Sequence, residues 1–471
     1  MSVRPVPAMT WRPRKAATPL PFPRRQAEAV ARPEPEPLVA ADDEPSLRWP
    51  FWFVMLYFVV DFGRPQDWVP PLGALRPGMI VLGGGLLALW LRRHEIVIPP
   101  RAQLIFAFLA LMALGTPLAT NRYWAAIQTK DLALFIFGAV LPLMNFVETT
   151  DRMRRLVNWV VLIHIPLAVY CLTHRGFGIG SFLGDENDFC LALNVILPYT
   201  FFSLYVAKTT RHKLYLVSTL GLLLFTITAT MSRGGFVGVV AVAIACWLVS
   251  PRKIASLAGI AVLAISVLSF VPQSYWDEMK TIETSTENDD TGAQRLYLWG
   301  MGWEMFKDNP VFGVGPTNFQ WNSFKYESPE QSAKGLHVWG KGAHSLYFTL
   351  LPEMGVVGVG IFVAILIAGI RENLRIRRTY RRLVKQRAPA ELLERLYPLT
   401  VYSRANDVAV LAYLVTGAFL SVLYYPYFWL QAGFGVAIVR IFDRILKQQP
   451  HVATTSAVAF QTPTVPTLWR A

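Results

Sequence analysis

Apolar residues are collected along the chain into long runs, and polar residues lie between them. An α-helix needs about 20 apolar residues to cross a bilayer, and twelve runs approach that length. They cover residues 49–62, 75–91, 103–120, 124–147, 156–173, 189–207, 213–230, 234–250, 254–271, 345–370, 405–424 and 426–446. The first two are short, so the sequence leaves open whether both cross the membrane. The pattern predicts an all-α polytopic membrane protein with about 12 transmembrane helices.

The tails differ from this pattern. Residues 1–47 contain ten prolines and almost no apolar periodicity, a composition that cannot bury a core. We expect disordered tails at 1–47 and 447–471. Spans 1–9 then occupy 48–271, and spans 10–12 occupy 344–446.

Composition supports the membrane interpretation. The 471 residues are 53% hydrophobic and 16% charged, whereas soluble domains carry about 25% charged residues. The net charge of +14 comes from basic residues between apolar runs, which fits control of topology better than binding to nucleic acid. Cys171, Cys190 and Cys246 lie in or beside apolar runs without metal-type spacing, so we interpret them as small core residues.

Orientation follows from the basic residues, which collect in alternate loops. Residues 371–404 contain ten Lys/Arg and three Asp/Glu, whereas 272–343 contain six Lys/Arg and ten Asp/Glu. Basic loops stay in the cytoplasm. The sequence therefore predicts a basic cytoplasmic loop at 371–404, two cytoplasmic termini, and one large periplasmic loop at 272–343 between spans 9 and 10.

The large loop contains its own helix signal. In "AQRLYLWGMGWEMFKD", Leu296, Trp299, Trp303 and Phe306 recur at helical spacing, which predicts an amphipathic helix with these residues on its apolar face. The stretch "NPVFGVGP" ends it. Its two glycines form part of a phosphate-loop pattern, but no strand precedes them, so a turn is the better interpretation.

Two arginines at membrane-facing boundaries are candidate anion contacts. Arg233 lies in the short outside turn "TMSRGGFVG", and Arg295 opens the amphipathic helix. Each also has a simpler interpretation, a snorkelling side chain for Arg233 and a solvated charge for Arg295. Paired guanidinium groups suit a diphosphate because each forms bidentate bonds to phosphate oxygens.

His344 lies where polar sequence meets the tenth span. A histidine there serves as a helix cap, as an interface anchor, or as a proton acceptor near neutral pH. Positive charge from Lys341 and His337 would lower its pKa and keep it neutral, as a base requires.

"SFLGDENDFCLALN" places four polar residues at the outer end of the sixth span: Asp185, Glu186, Asn187 and Asp188. Three interpretations stay open: a helix cap, a hydrogen-bonding group for sugars, and a divalent-cation site.

The order of these motifs resembles the O-antigen ligase/polymerase family of membrane glycan transferases. The resemblance rests on "SRGG", "QRLYLW", "KDNPVFGVGPTNF" and "HSLYFTLLPEMGVVG", and it covers residues 185–370 most closely. Two further stretches, "YFVVDFGRPQDWVPPLGALRPG" and "SFLGDENDFCLALNVILP", are similar to the branch linked to exopolysaccharide and exosortase-type systems.

The resemblance implies an enzyme of the bacterial inner membrane that acts on its periplasmic side in lipopolysaccharide or other surface-polysaccharide synthesis. It would transfer a glycan from undecaprenyl diphosphate to an acceptor hydroxyl with inversion, using neither a metal nor a cofactor. His344 would be the general base, and Arg233 and Arg295 would contact the diphosphate. We expect six further residues to line the substrate cavity: Lys130, Arg175, Asp185, Asn187, His337 and Lys341.

The acceptor stays open. Lipid A core, another glycan chain and a protein would define a ligase, a polymerase and a protein O-oligosaccharyltransferase respectively. A different class, a polysaccharide transporter or flippase, also has about 12 spans, but it would favour ionisable groups near the bilayer midplane. Here most charges lie at helix ends, and the main exception, Lys130 beside Asp131, is interpreted as an ion pair lining the cavity.

Overall fold

The fold is described by a computed structural model, which covers residues 49–180, 183–284, 290–329, 338 and 340–448. Residues 1–47, most of the tail from 447, and His337 lie outside this part of the chain, so the predictions made for them are not tested. Within the described residues the regular structure is helical, with no strand. The all-α prediction is confirmed for this part of the protein.

Fourteen helices of ten or more residues organise the described chain. We label them α1 (Trp49–Asp61), α2 (Pro77–Leu91), α3 (Pro100–Gly115), α4 (Arg122–Phe146), α5 (Thr150–Thr173), α6 (Glu186–Ser203), α7 (Thr210–Ala229), α8 (Arg233–Val249), α9 (Lys253–Leu268), α10 (Gln273–Thr284), α11 (Asp290–Asp308), α12 (Leu346–Lys385), α13 (Ala390–Gly417) and α14 (Pro426–Lys447).

Each of the twelve predicted spans coincides with one of these helices. Five of them are long and apolar enough to cross a membrane: α4, α5, α7, α12, and α3 with the short turn that extends it to Leu118. The shorter apolar helices are α1, α2, α8 and α9. The structure thus supports a helical membrane protein, while the count of about 12 spans stays a prediction.

The core surrounds α6, α13 and α14. Every residue of α6 from Phe189 to Thr200 is buried, and so is every residue of α14 from Tyr427 to Ile438. A helix that is buried on all sides lies at the centre of a bundle, and α13 packs against both of these helices. By contrast, α9 buries only Ser256 and exposes Ile254, Val262 and Ile265. An apolar helix exposed in this way needs a lipid environment.

The segment predicted as a basic cytoplasmic loop, 371–404, is mostly helical. The helix α12 continues through it to Lys385, and α13 begins at Ala390. The arginines in this stretch lower its hydropathy without breaking the helix, because arginine is a good helix former.

The amphipathic helix predicted in the large loop is α11, but only Trp299 and Phe306 of its four predicted apolar residues are partly buried. The buried face carries Leu298, Met301 and Met305, whereas Leu296 and Trp303 are about half exposed, at 51% and 48%. The sequence holds two overlapping apolar stripes at helical spacing. Packing against the start of α12 selects the stripe that contains the methionines.

The helix α12 is kinked near its beginning. Gly355 has φ 59° and ψ −170°, and Pro352 lies three residues before it. The kink breaks backbone hydrogen bonds within the helix, and the loop after α11 replaces them. Val356 and Val357 donate to the carbonyls of Pro310 and Val311 at 2.9 and 3.3 Å. A side chain at Gly355 would clash with Val311, so the close approach requires glycine.

Candidate active site

His344 lies directly before α12 and is held through its backbone. Its φ of 46° is in the left-handed region, and its N–H donates to the Ser421 hydroxyl at 2.9 Å. Ser421 belongs to the segment that joins α13 to α14. The side chain that caps α12 is Ser345, which accepts from the N–H of Phe348. The helix-cap interpretation of His344 is therefore wrong, and its imidazole is left for another role.

Several predicted site residues act on His344 electrostatically. Burial lowers its pKa below the ordinary value, the positive charge of Arg295 lowers it further, Asp185 raises it, and Lys341 lowers it. Much of the side chain is open to solvent, while protein on its other sides reduces hydration. His344, Arg295, Asp185 and Lys341 are thus brought close enough to interact, and the lowered pKa of His344 favours the neutral imidazole.

Arg295 is positioned by the docking of α11 on the start of α12. Trp299, one helical turn further on, donates its indole N–H to the carbonyl of Ala343 at 3.0 Å. The Trp299 ring stacks on Phe348 with centroids 5.2 Å apart and planes 7° apart. Residues four apart share one helix face, so Arg295 lies on the side of α11 that faces the His344 segment.

Arg233 begins α8 in a tightly packed turn. Ser232 caps the helix by accepting from the Gly235 N–H at 2.9 Å, and its hydroxyl donates to the Asn187 side-chain oxygen at 2.7 Å. A side chain at Gly235 would clash with Cys190. Gly235 therefore allows α8 to approach α6, while Gly234 packs against Phe419 of the segment between α13 and α14. The Ser232 bond to Asn187 places Arg233 beside the polar segment at the start of α6.

Asp185 is the N-cap of α6. One carboxylate oxygen accepts from the N–H groups of Asn187 and Asp188 at 2.8 and 3.3 Å. Of the three interpretations left open for this segment, the cap is confirmed. Among the residues that the structure describes, no three His, Cys, Asp or Glu side chains form a group that would hold a metal ion, and metal independence stays a prediction.

Two other cavity candidates are less directly connected to His344. Arg175 is exposed with φ 56°, and a side chain at its neighbour Gly176 would clash with Ala229. This turn therefore lies against the end of α7 that leads to Arg233. Lys130 forms the predicted ion pair with Asp131 at 3.1 Å, and both side chains are 56% exposed. That either residue lines the cavity stays a prediction.

The sequence reasoning missed Glu353, a buried carboxyl group on the first turns of α12. Its Oε2 accepts from the Thr317 N–H at 2.8 Å and from the Tyr424 hydroxyl at 2.6 Å, and its Oε1 accepts from the Phe319 N–H at 3.0 Å. Its backbone carbonyl accepts from Gly315 at 3.0 Å. An acidic residue within an apolar run is expensive to bury unless it is bonded, and that was the available signal.

The "NPVFGVGPTNF" motif forms the loop that binds the Glu353 side chain. Gly313 and Gly315 have φ values of 71° and 95°, and the loop between them and Phe319 folds over the carboxyl group. The interpretation as a turn rather than a phosphate loop is confirmed. Tyr424 belongs to the same short segment as Ser421, so the segment between α13 and α14 contacts both Glu353 and His344.

An apolar groove of about 200 Å³ lies near this end of the bundle, between α6, α7, α8 and α9. Phe236, three residues after Arg233, lines it together with Tyr275 of α10. The two rings meet edge to face with centroids 6.3 Å apart. The groove thus leads from the first turn of α8 along surfaces that are almost entirely apolar.

The fold and the site define a helical membrane protein with a cationic, histidine-containing site at one end of its bundle. Residues 218–363 match the family model Wzy_C, described as O-antigen ligase. The chain therefore contains an O-antigen ligase family domain, and the resemblance predicted from its motifs is confirmed. The matched segment includes Arg233, Arg295, His344 and Glu353. No curated protein matches the chain.

Proposed function

We propose that the protein transfers a glycan from undecaprenyl diphosphate to an acceptor hydroxyl on the periplasmic side of the bacterial inner membrane. The observation that carries this proposal is the group formed by His344 and Arg295, in which an imidazole with a lowered pKa lies within electrostatic range of a guanidinium. The O-antigen ligase domain supports glycan synthesis in a membrane. A proton acceptor beside an anion-binding cation is what such a transfer requires.

In this mechanism the Arg233 and Arg295 guanidinium groups bind the diphosphate oxygens and stabilise the negative charge that grows on them. The apolar groove beside Phe236 receives part of the lipid chain. His344 takes the proton from the acceptor hydroxyl as its oxygen attacks the anomeric carbon. The bond between that carbon and the diphosphate oxygen breaks, its electron pair stays with the undecaprenyl diphosphate, and the anomeric configuration inverts.

No metal or cofactor is needed in this scheme because the arginines supply the positive charge. Asp185 and Asn187 lie beside the arginines and the histidine, with Asp185 raising the pKa of His344 and Asn187 bonded to the "SRGG" turn. We propose that they contact sugar hydroxyls of the donor or acceptor. The same chemistry serves a ligase, a polymerase and a protein O-oligosaccharyltransferase.

The test uses the purified full chain in lipid, an undecaprenyl-diphosphate oligosaccharide, and lipid A core, glycan and peptide acceptors in parallel. Mass spectrometry of the products identifies the acceptor. General-base catalysis contributes about 10²–10⁴-fold to rate, so His344→Ala should lose activity by that factor.

The matched control is His94→Ala. His94 is an exposed histidine in the short turn Arg93–Glu95 that follows α2, and the variant should act as wild type. Full activity in both His344→Ala and His344→Asn would contradict the base role. No product with any acceptor, from protein that binds the donor, would contradict the transfer itself.

A further inference from the structure

A polar pocket of about 220 Å³, separate from the apolar groove, lies at the end of the bundle opposite His344. It is enclosed by the beginnings of α5 and α7 and by α13. Its lining residues are Arg154, Asn158, Val206, Lys208, Thr209, His212 and Tyr402. The far ends of α7 and α13 lead to the Arg233 turn and the Ser421 segment, so the pocket is separated from the candidate active site by the length of these helices.

The pocket concentrates positive charge. Arg154 and Lys208 contribute two cations from separate elements, and His212 adds a nitrogen ligand from a third position. Arg154 pairs with Asp151 at 3.0 Å and Lys208 pairs with Glu394 at 3.2 Å. Both acidic partners are more than half exposed, at 53% and 75%. Exposed pairs of this kind contribute little, so an anion in the pocket can compete for both cations.

The first turn of α7 adds backbone donors. Thr209 is the N-cap and accepts from the His212 N–H at 3.2 Å, and α7 continues for 20 residues to Ala229. The beginning of a helix carries partial positive charge and free N–H groups, which favour an anion.

Tyr402 provides an independent observation. Its side chain is fully buried and lines the pocket. Its hydroxyl interacts with the side chains of Ser203 and Arg154, but among the described residues neither contact has the geometry of a full hydrogen bond. The buried Nε of Arg154 likewise has no hydrogen bond of ordinary geometry with the described residues. Buried polar atoms without a well-formed hydrogen bond are rare in proteins, and here the Tyr402 hydroxyl and the Arg154 Nε meet at a cationic pocket.

Apolar surface continues from the pocket along both helices. Leu214 and Val217 of α7 are 66% and 44% exposed, and Leu162 of α5 is 45% exposed. Each lies within two turns of a pocket residue, on the part of its helix that enters the apolar span. Leu162 is four residues after Asn158 and therefore on the same face of α5, so a ligand with an anionic head and an apolar chain would contact the pocket and Leu162 at once.

We propose that this pocket binds the phosphate group of an anionic phospholipid. Arg154 and Lys208 contact the phosphate oxygens, Tyr402 donates its hydroxyl to one of them, and an acyl chain lies along Leu162. Basic pockets between membrane helices are suited to such head groups.

The test measures lipid binding to the full chain by native mass spectrometry in neutral detergent, with titrations of phosphatidylglycerol and phosphatidylcholine. Phosphatidylglycerol should bind at least tenfold more tightly. Arg154→Gln combined with Lys208→Gln should weaken it about 10- to 30-fold. Tyr402→Phe, which keeps the buried ring, should weaken it several-fold.

The control combines Arg252→Gln with Lys253→Gln, which removes two cations from the beginning of α9 and should leave binding unchanged. An equal loss in the control would show attraction by net charge alone and overturn the proposal, as would equal binding of the two lipids. Inorganic phosphate is the third arm. If it displaces phosphatidylglycerol at millimolar concentration, the pocket is a free-phosphate site and the lipid assignment is wrong.

Discussion

The hydrogen bonds to Glu353 make a quantitative prediction about the loop that covers α12. Glu353→Ala leaves three donors without their acceptor: the N–H groups of Thr317 and Phe319 and the Tyr424 hydroxyl. A buried donor without a partner costs about 1–3 kcal/mol. Water can enter the space left by the truncated side chain, so we take the lower end and expect the loop to lose about 3 kcal/mol.

The assay is hydrogen exchange of residues 313–319, followed by mass spectrometry of the purified protein. A loss of about 3 kcal/mol raises the open fraction of the loop, and with it the exchange rate, about 10²-fold. Glu353→Gln should give an intermediate result. Its single carbonyl oxygen can replace Oε2, which already accepts from both Thr317 and Tyr424, while its NH₂ group faces the Phe319 N–H. One donor is then unsatisfied instead of three.

The matched control is Glu304→Gln on α11, where the side chain is 55% exposed and pairs with Lys307; exchange of 313–319 should not change. Wild-type exchange of this loop in Glu353→Ala would refute the reasoning. It would mean that the backbone bonds to the α12 kink hold the loop without the carboxyl group.

Further predictions concern the reaction and the topology. Because the pKa of His344 is lowered, the transfer rate should be flat above the ordinary histidine pKa of about 6.5. The rate should fall as the pH drops through the lowered pKa. In His344→Asn the remaining rate should no longer show this fall at low pH. Arg233→Lys and Arg295→Ala should each lower turnover about 10²–10³-fold; wild-type turnover would exclude that arginine from the diphosphate contact. The three native cysteines are buried, so a single introduced cysteine can report topology. Gly300→Cys should react with an impermeant thiol reagent from outside the cell, and Arg378→Cys should react only after permeabilisation. The reverse pattern would contradict the predicted orientation. A chelator should leave transfer intact, and rescue of a chelated enzyme by Mg²⁺ would contradict metal independence.

The helices could be predicted because long apolar runs directly reflect the length a membrane requires. The same reasoning failed for 371–404, since a charged helix beyond the membrane has the hydropathy of a loop. It also failed for the face of α11, where Leu296 and Leu298 begin two stripes of equal periodicity. Only the partner surface, formed by Phe319 and Ala343 among others, decides which stripe is buried.

The site was predictable to a different extent. His344, Arg233 and Arg295 were proposed from their motifs, and their roles stay predictions; the structure adds an electrostatic link between His344 and Arg295. Glu353 was missed because its partners come from positions 34 to 71 residues away along the chain. No local spacing rule connects them, and a lone carboxylate in an apolar run indicates only that some partner must exist.

The segment between α13 and α14 has a consequence for engineering. Ser421 and Tyr424, which hold His344 and Glu353, lie beyond residues 218–363, and Asp185 lies before them. The portion of chain that carries the family's signature is therefore not a transplantable module. A chimera that exchanges only this portion would bring in a histidine and a carboxyl group whose supports belong to another protein. Exchanges that include α6 and the α13–α14 connection would keep each group with its own partners.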